Sequence, residues 1–459
     1  MNRKPYPEYK ESGVQWLGQV PGHWEVKRLK MSARLTDKKV EADEENPVPY
    51  IGMENIEPWS GKLLQINPDV VPSGIANRFS RRNTLFGKLR PYLAKACNPG
   101  FDGLCSTELL VIESDDFDRR ALLYWLLADG FINLVDSSTF GSKMPRANWD
   151  FIGNCLLPVP PKVEQTAIAD FLDRETGRID TLVAKKRRLV ELLKEKRTAL
   201  ISRTVTRGLP EAAARKFGLE PHIRFKDSGI EWLGEVPEGW EVVPLFRIIE
   251  TIQTGPFGSQ LHSADYIEGG IPLINPAHIS GGKVAPDPLS SVDEMTAIRL
   301  SRYRLRVGDI VMGRRGEIGR CAVIGPKEVG WLCGTGSLLI RLRNLNAAYF
   351  AFIISGSGFS SLLELNAVGT TMLNLNPTIV GRMTVPVPPL SEQTAIATYL
   401  DRETAKIDQL VAKVEAVIAR LQEYRTALIT AAVTGKIDVR ADRHSRENGS
   451  PGEVANALV

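Results

Sequence analysis

Pro386-Val387-Pro388-Pro389, followed by Glu392-Gln393-Thr394-Ala395-Ile396-Ala397 and Tyr399-Leu400-Asp401-Arg402-Glu403-Thr404, opens a helical pattern that runs unbroken to Thr434. The chain has already used this run once, as Pro158-Val159-Pro160-Pro161, Glu164-Gln165-Thr166-Ala167-Ile168-Ala169 and Phe171-Leu172-Asp173-Arg174-Glu175-Thr176. The offset is 228 positions, 386 against 158, and needs no gap. Two unrelated helices do not drift into such agreement, so the chain is a tandem of two half-molecules.

Each half also begins alike. Ser12-Gly13-Val14-Gln15-Trp16-Leu17-Gly18, with Val20-Pro21 and Trp24-Glu25-Val26, returns as Ser228-Gly229-Ile230-Glu231-Trp232-Leu233-Gly234, with Val236-Pro237 and Trp240-Glu241-Val242. The four tryptophans sit among Pro and Gly in a turn-rich lead, which suits packing anchors better than base-stacking residues. Between lead and helix lie strand-like apolar runs at Val48 to Ile51, Leu85-Phe86 and Leu109 to Ile112, then at Ile271 to Ile274, Asp309 to Met312, Cys321 to Ile324 and Ser337 to Leu342. Helix-period stretches follow at Asp118 to Val135 and Ala347 to Leu365.

The expected fold class is therefore α+β, with two globular α/β recognition domains in tandem pseudo-repeat separated by two long antiparallel coiled-coil helices. The expected boundaries are 1–157 for the first lead and domain, 158–206 for the first helix and 207–225 for a linker. The second lead and domain take 226–385, the second helix 386–436 and a mobile polar tail 437–459. The offset changes inside the domains, from 221 at Gly87 and Gly308 to 228 at Cys105 and Cys333, so the loops differ in length. One scaffold with different loops is what two domains reading different ligands would look like.

Along the helices, Ile179, Leu182, Lys186, Leu189, Leu193, Lys196 and Leu200 step by three and four, as do Ile407, Leu410, Val414, Val417, Leu421, Tyr424 and Leu428. This is the seam of a coiled coil. Each helix could cover its seam on its own domain; shared period and length favour packing of one on the other, antiparallel. From Ile179 to Leu200 such a rod spans roughly 32 Å, close to a turn of B-DNA at about 34 Å, which suggests a ruler. The basic face of the first helix, with Lys185, Arg187 and Arg188, reads as a solvated surface.

At 459 residues the chain is too long for one core. A hydrophobic fraction of 43% and a charged fraction of 24% are those of a globular protein, and no apolar run approaches a bilayer span. With a charged start followed by Pro5-Tyr6-Pro7, this points to the cytoplasm. Five cysteines without a Cys-x-x-Cys pair argue for buried thiols rather than disulfides or zinc. The net charge of +4 permits nucleic-acid binding without requiring it. There is no P-loop, Asn376-Pro377-Thr378 lacks the second proline and the aromatic of an adenine methyltransferase motif, and the five histidines are scattered. No catalytic or metal residues are assigned.

These residues resemble the specificity subunit of type I restriction-modification enzymes. The resemblance rests on the Ser-Gly-x-x-Trp-Leu-Gly-x-Val-Pro lead twice, the Pro-Pro-x-x-Glu-Gln-x-x-Ile helix start twice, and Lys88-Leu89-Arg90-Pro91-Tyr92 with Cys105-Ser106-Thr107-Glu108. Gly313-Arg314-Arg315-Gly316-Glu317-Ile318-Gly319 with Gly334-Thr335-Gly336-Ser337 adds to it. It implies two target recognition domains, each reading half of a split site on double-stranded DNA, and helices that dock two modification (methyltransferase) subunits, joined by restriction (motor-nuclease) subunits. S-adenosylmethionine, ATP and Mg would then sit on those partners, and no cofactor on this chain. Gly141-Ser142-Lys143-Met144 stands where the second half has Gly369-Thr370-Thr371-Met372, so the two domains should read different sequences. A self-contained restriction or methylation enzyme, or a coiled-coil scaffold without DNA specificity, are the rival readings.

Bases are read by bidentate Arg or Lys to guanine and by Asn or Gln to adenine, while Lys, Arg, Ser and Thr hold phosphates. Gly-bounded loops carrying such residues give Lys88, Arg90, Ser142, Lys143 and Arg146 in the first domain. In the second they give Ser259, Gln260, Arg314, Arg315, Thr370 and Thr371.

Overall fold

The structure is a computed structural model that describes residues 5–36, 38–41, 48–67, 74–141, 143–316, 318–367 and 374–440. The chain divides into two compact units, 1–187 with 416–459, and 188–415. Both boundaries fall inside the long helices, Lys162–Arg207 and Leu390–Val433.

Each unit repeats one plan. In the first, an antiparallel sheet orders Arg34–Leu35, Leu109–Glu113, Thr84–Gly87 and Ala96–Cys97; in the second, Ile249–Thr254, Ser337–Leu342, Ile310–Gly313 and Cys321–Val323 take the same places. The central strand is apolar at successive positions because it is buried on both faces. Leu110 and Ile112 enter the large core of the first unit while Leu109 and Val111 enter a smaller one. Leu338 and Ile340 against Leu339 divide in the same way in the second unit. The smaller core is closed by a second sheet with one parallel pairing, Leu104 to Tyr50 in one domain and Leu332 to Leu273 in the other.

Strand pairing makes Gly87 the partner of Leu109 and Gly313 the partner of Ser337. Gly87 is therefore the counterpart of Gly313 rather than of Gly308, and Lys88 of Arg314. The expected helices each break in two. Arg119–Leu126 and Asp129–Ser137 flank Leu127-Ala128, and Ala347–Ser355 and Ser357–Asn366 bend by 72° at Gly356. Among the described residues no single helix is long and apolar enough to cross a membrane.

Each unit holds a segment of both long helices, and in each the segments run antiparallel. In the second unit Arg197 meets Asp408 at 2.9 Å and Lys194 meets Glu415 at 3.8 Å. In the first, Asp180 meets Arg425 at 3.0 Å, and Glu164, further back on its helix, lies 3.8 Å from Arg440 beyond the end of the other. Gly208 and Gly435, at φ 79° and 73°, end the two helices in the left-handed conformation that a residue with a Cβ adopts at a cost.

The seam differs in phase from the expectation. Ile179, Leu193, Leu200, Ile407, Val414, Leu421 and Leu428 lie on it, buried or half-buried. Leu182, Leu189, Leu410 and Val417 do not: each is 39 to 49% exposed, and Tyr424 with them. Their neighbours Val183, Val190, Val411 and Ile418 turn inward instead. Apolar residues stand at both alternatives, so a three-four and a four-three stepping fit the pattern equally well. The position after Leu421 is an arginine, Arg425, which a search for apolar residues passes over. Lys186 stays half-buried on the seam, whereas Lys196 is exposed and Arg197 takes its place. The packed chain also continues past residue 436, because Ile437 and Val439 are buried in the core of the first unit.

Candidate nucleic-acid interface

The repeated Glu-Gln at the start of each helix is a pair of latches. Glu164 accepts the indole N–H of Trp24 at 2.9 Å, and Glu392 that of Trp240 at 3.0 Å. Both tryptophans are fully buried, so each N–H needs an acceptor inside the core. A histidine completes each group from a different place in the sequence: His23 lies 2.7 Å from Glu164, and His222 2.6 Å from Glu392. Gln165 accepts the backbone N–H of Asp118 and donates to the Pro160 carbonyl; Gln393 does the same with Asn346 and Pro388. Asp118 and Asn346 are themselves N-caps of the domain helices. One dipeptide thus fixes the lead and the domain to the helix start.

In the first domain the sequence candidates converge. A short hairpin pairs Phe140 with Arg146, carries Lys143 near its tip and docks alongside Leu89 through a bridge to Arg146. The Lys88 carbonyl accepts from the Ala147 N–H, and the Arg90 N–H donates to the Pro145 carbonyl. Arg90, at φ 50°, is exposed, as is Lys143. Arg146 is not a free cation, since its guanidinium grips Glu108 with two bonds of 3.1 Å; this pairing holds its pKa above the usual arginine value. The Lys88 N–H donates to the Glu108 carbonyl at 3.0 Å, beside that pair. Ser142 lies outside the described residues.

In the second domain Arg314 is buried rather than offered to solvent. Its guanidinium donates to the Thr335 carbonyl at 3.2 Å and to the Asn374 side chain at 2.8 Å, and burial lowers its pKa. It ties three chain segments together, the Leu375 N–H also bonding its carbonyl. Arg315 next to it is exposed and bridges Asn374. Gly255, at the root of the turn that carries Ser259 and Gln260, packs so closely on the Gly334 carbonyl that a Cβ would collide with it. Ser259 is exposed, but the Gln260 side chain accepts from the Tyr303 hydroxyl at 2.7 Å. Thr370 and Thr371 lie outside the described residues.

The two domains thus brace the same turn with opposite wiring. In one, Arg146 of the later loop reaches Glu108; in the other, Arg314 of the turn reaches Asn374 of the later loop. Among the described residues no group of His, Cys, Asp and Glu could hold a metal ion.

The family model described as type I restriction modification DNA specificity domain matches residues 237–420. The specificity subunit of the type I restriction enzyme MjaVIII of Methanocaldococcus jannaschii is 23% identical over 94% of this chain and 97% of its own. That of EcoBI from Escherichia coli is 22% identical over 71% and 67%. The chain is similar to the type I restriction enzyme specificity subunits. Among solved structures, a chain from work on complex assembly and conformational transition of the type I R-M system matches this fold with a TM-score of 0.62. That match is 21% identical and covers 90% of this chain and 98% of the other. The MjaVIII match runs through both halves of the chain.

Proposed function

We propose that this chain is the DNA specificity subunit of a type I restriction-modification complex. It reads a bipartite, asymmetric duplex site with its two domains and docks modification and restriction subunits that carry the catalysis, the S-adenosylmethionine, the ATP and the Mg. The observation that carries the reading is the equivalent turn in the two domains, braced by opposite wiring and armed differently, with Lys88, Arg90 and Lys143 in one and Arg315 in the other. Repeated scaffolds with divergent cationic tips suit two unlike half-sites, since side chains at groove edges carry the sequence information. Ser259, at an exposed turn, extends the candidate surface of the second domain, and Thr370 and Thr371 stay candidates on their sequence alone.

Selection from random duplexes by the reconstituted complex tests this directly. Enrichment of two unlike half-sites at a fixed spacing is expected; a complex that prefers no duplex would mean a scaffold without DNA specificity. Methyl transfer by the isolated chain would mean a self-contained enzyme.

A further inference from the structure

Arg425 lies in the seam of the second helix with only 8% of its side chain exposed. It has three acceptors: Asp180 at 3.0 Å through Nε, the Trp59 carbonyl at 2.7 Å and the Ser60 carbonyl at 2.8 Å through its two terminal nitrogens. Asp180 in turn holds Lys62 at 2.7 Å. The turn that offers the two carbonyls is tightly built. Glu57 and Lys62 close it with a backbone bond of 3.0 Å, and the Trp59 N–H anchors it to Ala94. Trp59 stands at φ 61°, a conformation that disfavours a residue with a Cβ, and there two successive carbonyls face one guanidinium.

The counterpart in the second unit is bare. Asp408 and Arg197, offset by 228 from Asp180 and Arg425, pair at 2.9 Å. Among the described residues no backbone carbonyl of the second domain accepts from Arg197, and 32% of its side chain is exposed. The helix-to-helix ion pair is thus common to both units, and the attachment of a domain turn to it belongs to the first. Beside that attachment lies a cleft of about 1080 Å³, lined by Glu57, Asp129, Arg187, Glu423 and Lys436.

We infer that Arg425 is a positioning residue for sequence recognition: with Asp180 and Lys62 it fixes the first domain on the helix segments of its own unit, and with that the register at which the first half-site is read. The inference rests on the function proposed above. Lysine at this position keeps the charge opposite Asp180 but cannot span a carboxylate and two carbonyls from a planar fork.

The test uses the assembled complex and duplexes carrying both selected half-sites at every spacing around the preferred one. With Arg425→Lys, both half-site sequences stay the same while the discrimination against a spacing changed by one base pair falls about fivefold, the scale on which coupled charged pairs act. Lys62→Ala, which leaves the buried guanidinium in place, gives a smaller change in the same direction. Arg197→Lys leaves the spacing profile unchanged. Hydrogen exchange in the turn 57–62 rises in Arg425→Lys while the remainder of the chain keeps its protection. A sharp, wild-type spacing profile in Arg425→Lys overturns this inference alone, as does equal broadening by Arg197→Lys. A wild-type complex that selects no bipartite duplex overturns the functional reading and this inference with it.

Discussion

Trp24 donates its indole N–H to Glu164 across 140 residues of sequence, at 2.9 Å. Trp240 and Glu392 repeat the bond. With the indole removed the buried carboxylate loses a donor from inside the core and keeps partners such as His23 or His222. Trp24→Phe should therefore lower the stability of the first unit by about 1–3 kcal/mol, with Trp240→Phe doing the same to the second. Hydrogen exchange, which resolves the two units, measures both, and loss of protection should stay within the unit that carries the substitution.

The phase of the helix seam gives a second expectation. Val190→Ala removes a buried side chain and should cost about 1–2 kcal/mol, whereas Leu189→Ala, at an exposed position, should change stability by less than about 0.5 kcal/mol. Ile418 and Val417 form the equivalent pair in the second helix. Thermal unfolding followed by circular dichroism decides between the phases, and a larger loss at Leu189 than at Val190 would restore the stepping expected from sequence.

Arg314 and Arg315 should separate cleanly. Arg314→Ala leaves the Asn374 side chain and the Thr335 carbonyl without their donor and should destabilise the second domain by about 1.5–3 kcal/mol. Arg315→Ala should leave the unfolding midpoint within error. On the proposed function it should also reduce the slope of log affinity against log salt by about 1, the loss of one phosphate contact. An unchanged slope would place Arg315 off the DNA.

How much of this was legible beforehand follows from what periodicity can encode. The tandem plan, the strands Ile271–Ile274 and Ser337–Leu342 and the long helices were visible because buried strands and helices repeat with their own periods. The seam phase was not, since Leu182-Val183 and Leu189-Val190 offer an apolar side chain to either choice. Arg314 and Arg146 looked like free cations because a sequence does not show that Asn374 and Glu108 come to meet them. The Glu-Gln repeat was the available signal for the latches: a carboxylate and an amide kept at fixed distance from a paired tryptophan lead ask for a polar partner in the core.

The cysteines give a pH-dependent expectation. Burial pushes the thiols of Cys97, Cys105 and Cys321 up to about 12 and that of Cys155 to about 11, against 9.0 for the exposed group. The folded-state values are raised, so this contribution to stability is fully present below pH 9 and is lost as pH rises through 11 and 12. The unfolding midpoint should fall with pH above 9, and less so in a variant with these four changed to alanine. At pH 8 a thiol reagent such as dithiobis-nitrobenzoate should label the native chain slowly, and all five cysteines once it is unfolded.

The unit boundaries carry a consequence for synthesis. The second unit is one uninterrupted stretch, 188–415, but the first is assembled from both ends of the chain. Leu428, Ile429, Ala432, Val433, Ile437 and Val439 complete the core around Trp24 and Phe131. At about 5–20 residues per second, the amino-terminal unit waits on the order of 10 to 50 s for its last helix to leave the ribosome. The domain made first is thus finished last, and a chain cut short near its carboxyl end loses the integrity of its beginning.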